Sequence, residues 1–222
     1  MLDPAELAND SLDDVVARVQ ADPDYPDRFA TLFPALVSAP EADSKAAVTI
    51  ETITTALAAF QQSQARRSRF DRFMAGDGDA LQDGEIRGLH LFRTKARCIN
   101  CHGGALMADG QFHNIGLGFP STRLRDLGRY GVTGEARDAG KFRTASLRLV
   151  GASAPYMHNG IFPNLEGVVR FYAGGGGKPG ASDKDAAVDP VEINLRAVSP
   201  LLRPLELSDR DIADLVAFLK TL

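Results

Sequence analysis

Apolar positions along the chain recur at helical spacing in short stretches, separated by polar or glycine-rich ones. Ser11 is placed to cap a helix with Leu12, Val15, Val16 and Val19 on one face, and Asp22-Pro23-Asp24-Tyr25-Pro26 stops it. A second short helix is expected from about Asp27 to Leu36, ending near Pro40. Thr49 caps a stronger one, with Ile50, Ile53, Leu57 and Phe60 on its apolar face. The basic run Arg66-Arg67-Ser68-Arg69 reads as a solvated helix end, and Asp71 to Gly84 as a turn-rich loop. Glu85 to Lys95 returns to helix through Ile86, Leu89 and Phe92, and Leu165 to Tyr172 forms a short amphipathic one. The last helix is signalled most fully. Ser208 caps it, Asp211 completes a capping box, Leu207 can staple onto Ile212, and Ile212, Leu215, Val216 and Leu219 face the core.

Between these helices, 103–153 and 173–203 are long, Gly- and Pro-rich and without regular periodicity. Such stretches sit poorly in a plain helical bundle and suit a fold in which a large prosthetic group replaces part of the core. The expected class is all-α: a helical domain with long irregular loops around a cofactor and no convincing sheet.

Composition narrows the function. The 222 residues are enough for one sizeable core or a domain with an appendage. A net charge of -4 offers no basic face for nucleic acid, and no apolar run reaches membrane-spanning length. With two Cys in the chain, a disulfide framework is excluded.

Those two Cys fall in Cys98-Ile99-Asn100-Cys101-His102. Two thiols at this spacing reach the two vinyl groups of one haem, and the adjacent imidazole faces the iron, so the pattern reads as covalent haem c attachment. A zinc site needs four ligands and finds three at most here. A redox dithiol wants a βαβ setting that the sequence lacks. Two merely buried Cys leave His102 unexplained. The sixth iron ligand stays open among Met157, His158, Tyr172, His113 and Met107; on ligand frequency alone Met157 is the plain choice. Arg143 and Arg148 are candidates for the haem propionates, or else for surface ion pairs. The Gly76-Asp77-Gly78-Asp79 turn resembles a calcium loop but lacks the closing acidic residue.

The wider pattern resembles the second haem domain of bacterial dihaem cytochrome c peroxidases and of the related enzyme that matures methylamine dehydrogenase. The similar segments are Phe92 to Gly103, Phe112-His113-Asn114-Ile115-Gly116, Lys141 to Arg148, Ala154-Pro155-Tyr156-Met157-His158-Asn159-Gly160 and the helix at Leu205 to Leu222. The resemblance implies a cytochrome c-like haem domain at 81–222, preceded by the family's inter-haem helical segment at 1–80. It places the distal ligand on the helix after the Pro-Tyr-x-His motif, at Tyr172, where the electron-transferring peroxidases carry Met and the maturation-type enzymes carry Tyr. A phenolate there would favour ferric iron and lower the potential.

Asp3-Pro4-Ala5-Glu6-Leu7 is similar to a segment whose Glu is the acid–base catalyst over the peroxide-binding haem, which implies that role for Glu6; an exposed helix acid is the plain alternative. The resemblance further implies electron relay for hydrogen peroxide reduction, a small redox protein as donor, and a first haem domain outside this chain. It implies calcium between the haems, near Ser153 and Pro155, but the Asn ligand has no counterpart here. Homodimerisation is left open. Competing readings are a monohaem electron carrier and a maturation-type oxidase, the latter weakened by the absence of Trp. Met-Leu-Asp-Pro carries no leader, while covalent haem attachment points to the periplasm.

Overall fold

A computed structural model describes residues 9–38, 43–64, 66–120, 122–178 and 189–222. The chain divides into two units, Met1–Arg66 and Arg67–Leu222.

The first unit contains α1 (Leu12–Ala21), α2 (Tyr25–Leu32) and α3 (Ile50–Ser63). Ser11 caps α1 by accepting the Asp14 N–H at 3.0 Å. The Asp22–Pro26 segment ends α1 as expected, but its last two residues already begin α2, because proline is favoured in a helix's first turn. Thr49 and Thr52 form the capping box of α3. Val48, Ala47, Phe29 and Ile53 make a small core, with Val15, Val16 and Val19 packed against it. The apolar face expected on α3 is only half used: Ile53 is buried, whereas Leu57 and Phe60 are 47% and 63% exposed.

In the second unit, α4 (Arg69–Met74) occupies the start of the segment read as loop. It forms because Ser68 and Asp71 cap it reciprocally, and its Phe70 is buried edge-on against Phe218, ring centroids 5.5 Å apart. This helix belongs to the compact unit that begins at Arg67. The next helix, α5 (Asp83–Arg93), starts two residues early on a Gln82/Glu85 capping box. Glu85 is buried and held bidentately by Arg69, both contacts 2.7 Å.

A two-stranded antiparallel pair follows: β1 (Phe112–Asn114) against β2 (Lys141–Arg143), in register Phe112↔Arg143. This minimal pair leaves the expected all-helical class in place; three-residue strands are too short to show alternation. Between them lies a single turn of helix, α6 (Tyr130–Thr133). Then come α7 (Leu165–Ala173), capped by Asn164, and α8 (Pro190–Arg196), inside a stretch read as irregular. The C-terminal α9 (Asp209–Leu219) has the expected Ser208/Asp211 box. The core joins Leu89 and Phe92 of α5, Leu165 and Val169 of α7 and Ile212, Leu215 and Phe218 of α9. The fold is mainly helical, as a cytochrome c-like domain requires.

Candidate haem site

Cys98–Asn100 forms a 3-10 turn directly after Arg97, whose φ of 56° reverses the chain out of α5. The His102 N–H donates to the Cys98 carbonyl at 2.9 Å, so both Cys and His102 lie on one coil. All three line a cavity of about 510 Å³, within the range of small-molecule and cofactor sites. Its wall is mainly apolar, with Leu165 and Val169 from α7, Leu215 and Leu219 from α9, and Leu202 and Leu205 from the loop between α8 and α9. That loop is fixed to β1: the Ser199 N–H donates to Asn114 O at 2.8 Å, and the buried Asn114 amide donates to the Asn194 and Leu195 carbonyls.

The Nδ1 of His102 lies 3.1 Å from the Met107 carbonyl. An N–H donated there leaves Nε2 as the ring's acceptor, the form a metal requires. Burial lowers the His102 pKa against the pull of that carbonyl and of Asp109, which keeps the imidazole neutral. Burial pushes the Cys98 thiol up to about 12, and raises Cys101 with help from the Asp109 charge.

The structure places Tyr172, Met157, His158 and His113 on the wall of the cavity that the attachment motif also lines. Met107 does not line it; its side chain is in the core and only its carbonyl contributes. Tyr172 projects from α7 with its hydroxyl free of any hydrogen bond among the described residues. Burial raises its pKa, with smaller contributions from Cys101 and Cys98. His158 stacks on Phe142 with centroids 3.8 Å apart and approaches Asp126 at 3.5 Å.

Arg143 lines the cavity, whereas Arg148 does not. Its guanidinium is occupied by Asp71 at 2.6 Å and by the Ala105 carbonyl at 2.9 Å, an ion pair being the other of its two expected places. Arg97 and Arg203 line the cavity as well, and neither was expected from the sequence. Together with Arg143 they give three guanidinium groups without a hydrogen bond or ion pair among the described residues. Arg97 directly precedes the motif and could have been noticed; Arg203 sits in an irregular loop with nothing local to mark it. Ser153 and Pro155 also line the cavity. Asp77 and Asp79 of the calcium-like turn join no cluster of metal-ligating groups among the described residues. Glu6 lies outside the described residues.

A cavity with two thiols on one coil, an oriented imidazole and cationic groups facing an apolar wall defines a c-type haem domain as its class. The comparisons make this more particular. A family model described as di-haem cytochrome c peroxidase matches residues 1–79. The chain is 36% identical over 197 residues to cytochrome-c peroxidase IdrP1 of Pseudomonas sp. (strain SCT), covering 75% of this chain and 48% of that protein. It is 34% identical over 222 residues to methylamine utilization protein MauG of Methylorubrum extorquens, covering 99% and 54%. The crystal structure of a MauG-like protein associated with microbial copper homeostasis matches with TM-score 0.71 and 34% identity, over 95% of this chain and 61% of that one. The chain belongs to the di-haem cytochrome c peroxidase/MauG family. It spans about half the length of the curated relatives it matches.

Proposed function

We propose that this chain is the second haem domain of a periplasmic peroxidase-class oxidoreductase. Cys98 and Cys101 would hold one haem c through thioethers, and His102 and Tyr172 would supply its iron ligands. The observation that carries this is a mainly apolar cavity that holds both thiols, an imidazole tied back through Nδ1, and a phenol hydroxyl without a hydrogen bond among the described residues. When bound, haem c supplies reversible one-electron chemistry whose potential is set by its ligands and surroundings.

The protein's own residues perform the rest. The Met107 carbonyl fixes the His102 tautomer and ring plane. The apolar wall excludes water, and Arg97, Arg143 and Arg203 supply the forked donors that suit two propionates. Tyr172 gives up its proton only beside a cation, since burial alone holds the phenol protonated. In this reading the domain relays electrons from a small redox protein toward hydrogen peroxide, reduced at a haem in a domain outside this chain. Glu6 belongs to that reaction as acid–base catalyst, and calcium, if used, would sit near Ser153 and Pro155.

The test is the mass and ferric spectrum of the exported chain beside Tyr172→Phe. One added haem in both, with an altered spectrum in the variant, is the expected result. One haem with unchanged spectra would move the ligand to Met157 or leave the position open; no haem would overturn the reading. A maturation-type role on a protein substrate is the second reading, favoured by similarity to a methylamine utilization protein over 99% of the chain. Peroxide turnover by the complete dihaem protein separates the two.

A further inference from the structure

Cys101 has a second set of neighbours that haem attachment does not use. Its sulfur, an Asp109 carboxylate oxygen and a His113 ring nitrogen all lie within 4.8 Å of one another. We propose that Cys101, Asp109 and His113 form a zinc-type divalent cation site in the chain before haem is attached.

The geometry is close to what such an ion needs. With Zn–S near 2.3 Å and Zn–N or Zn–O near 2.0–2.1 Å, ligand atoms of a tetrahedral site lie roughly 3.3–3.8 Å apart. The three donors are of the right kinds, and water would complete the fourth position. Two are held in advance. His113 is fixed in β1, and Asp109 Oδ1 accepts the Gln111 N–H at 2.8 Å, leaving Oδ2 to face His113 Nε2 at 2.8 Å. Binding exchanges that hydrogen bond for two metal bonds: the Nε2 proton of His113 passes to solvent, Nδ1 is protonated in its place, and the neutral ring ligates through Nε2. At Cys101 the S–H bond breaks, an S–metal bond forms and the proton goes to solvent, with no change of oxidation state.

The set is distinct from a Cys-x-x-Cys-His clamp. Cys98 packs against the core and points its thiol toward the Ala96 carbonyl at 3.6 Å, and neither it nor His102 belongs to the cluster. The consequence for maturation rests on the haem reading above: a metal on Cys101 blocks one of the two thioethers, so the ion and complete attachment exclude each other.

The experiment uses the full chain made without haem-attachment machinery, kept reduced and titrated with Zn2+ by native mass spectrometry. One zinc per chain is expected. Cys101→Ser, His113→Ala and Asp109→Asn should each weaken it by about 10-fold or more, while Cys98→Ser binds as the parent does. Far-UV circular dichroism of each variant identifies any loss caused by misfolding, and the exposed Asp109→Asn serves if His113→Ala misfolds. Loss of zinc in Cys98→Ser with retention in His113→Ala would assign the ion to the ordinary clamp and overturn the proposal, as would no zinc at all. A chain that binds zinc this way yet never accepts haem would sink the functional reading and leave the metal site standing.

Discussion

Asp109 shows how far single residues serve more than one purpose. Burial opposes its ionisation, but hydrogen bonds from His113, Thr144 and the Gln111 N–H outweigh that and bring its pKa down to about 2. An unfolded Asp titrates near ~3.9. A depressed folded value means a stabilising contribution that is fully present above pH ~4 and is lost as pH falls toward about 2. Asp109→Asn should therefore be less stable than the parent at neutral pH, with the difference closing as pH falls between those values, followed by circular dichroism; an equal stability at neutral pH with an identical acid limb would refute the assignment. Gly88 is a second case. A Cβ there would collide with the Asp214 carbonyl and come within 2.7 Å of Phe218 Cβ, where α5 and α9 cross. Backbone cannot give way as a flexible side chain can, so Gly88→Ala should cost about 1–3 kcal/mol or more in thermal unfolding. Neither role was legible in the sequence. Asp109 and Gly88 become informative only once β1 and α9 are brought beside them, whereas Cys98, Cys101 and His102 declare their chemistry by spacing alone.

Elements were legible where local capping and apolar period agreed. The α9 helix satisfied both, and its observed Ser208/Asp211 box and buried Ile212, Leu215 and Leu219 match that expectation. The missed elements failed one of the two requirements. In α4 there are only six residues, and its Ser68/Asp71 box is hidden inside a basic run. In α8 the helix begins at a proline, and its one buried side chain, Leu195, gives no period to read. Packing supplies what local sequence lacks there, since Leu195 has 0% exposure and Asn114 ties down the end of the helix. The same contrast sets an expectation for Ser208→Ala. Removing the side chain that accepts the Asp211 N–H at 3.1 Å should destabilise the fold by about 1 kcal/mol. Chemical denaturation of the loaded protein would show this as a lower midpoint at unchanged slope; no shift would mean that core packing alone holds α9.

At the scale of the whole chain, everything assigned to the haem lies in Arg67–Leu222, and each unit has a core of its own. The hydrophobic set of the second unit runs from Phe70 to Leu222 and needs no residue before Arg67. Its ends are also tied together, the Phe70 N–H donating to the Thr221 carbonyl at 3.1 Å and the Leu149 N–H to that of Leu222 at 3.0 Å. The family model, by contrast, matches residues 1–79, ahead of the attachment motif. On the function proposed above, holding the haem falls to the second unit alone. A chain beginning at Arg67, exported in a haem-maturing host, should therefore take up one haem and give the ferric spectrum of the full chain. On the role proposed for Glu6, the same truncation made in a complete dihaem protein should abolish peroxide turnover. Failure of the short chain to acquire haem would show that the first unit is needed to build the site. Retained turnover in the truncated dihaem protein would instead remove Glu6 from the reaction.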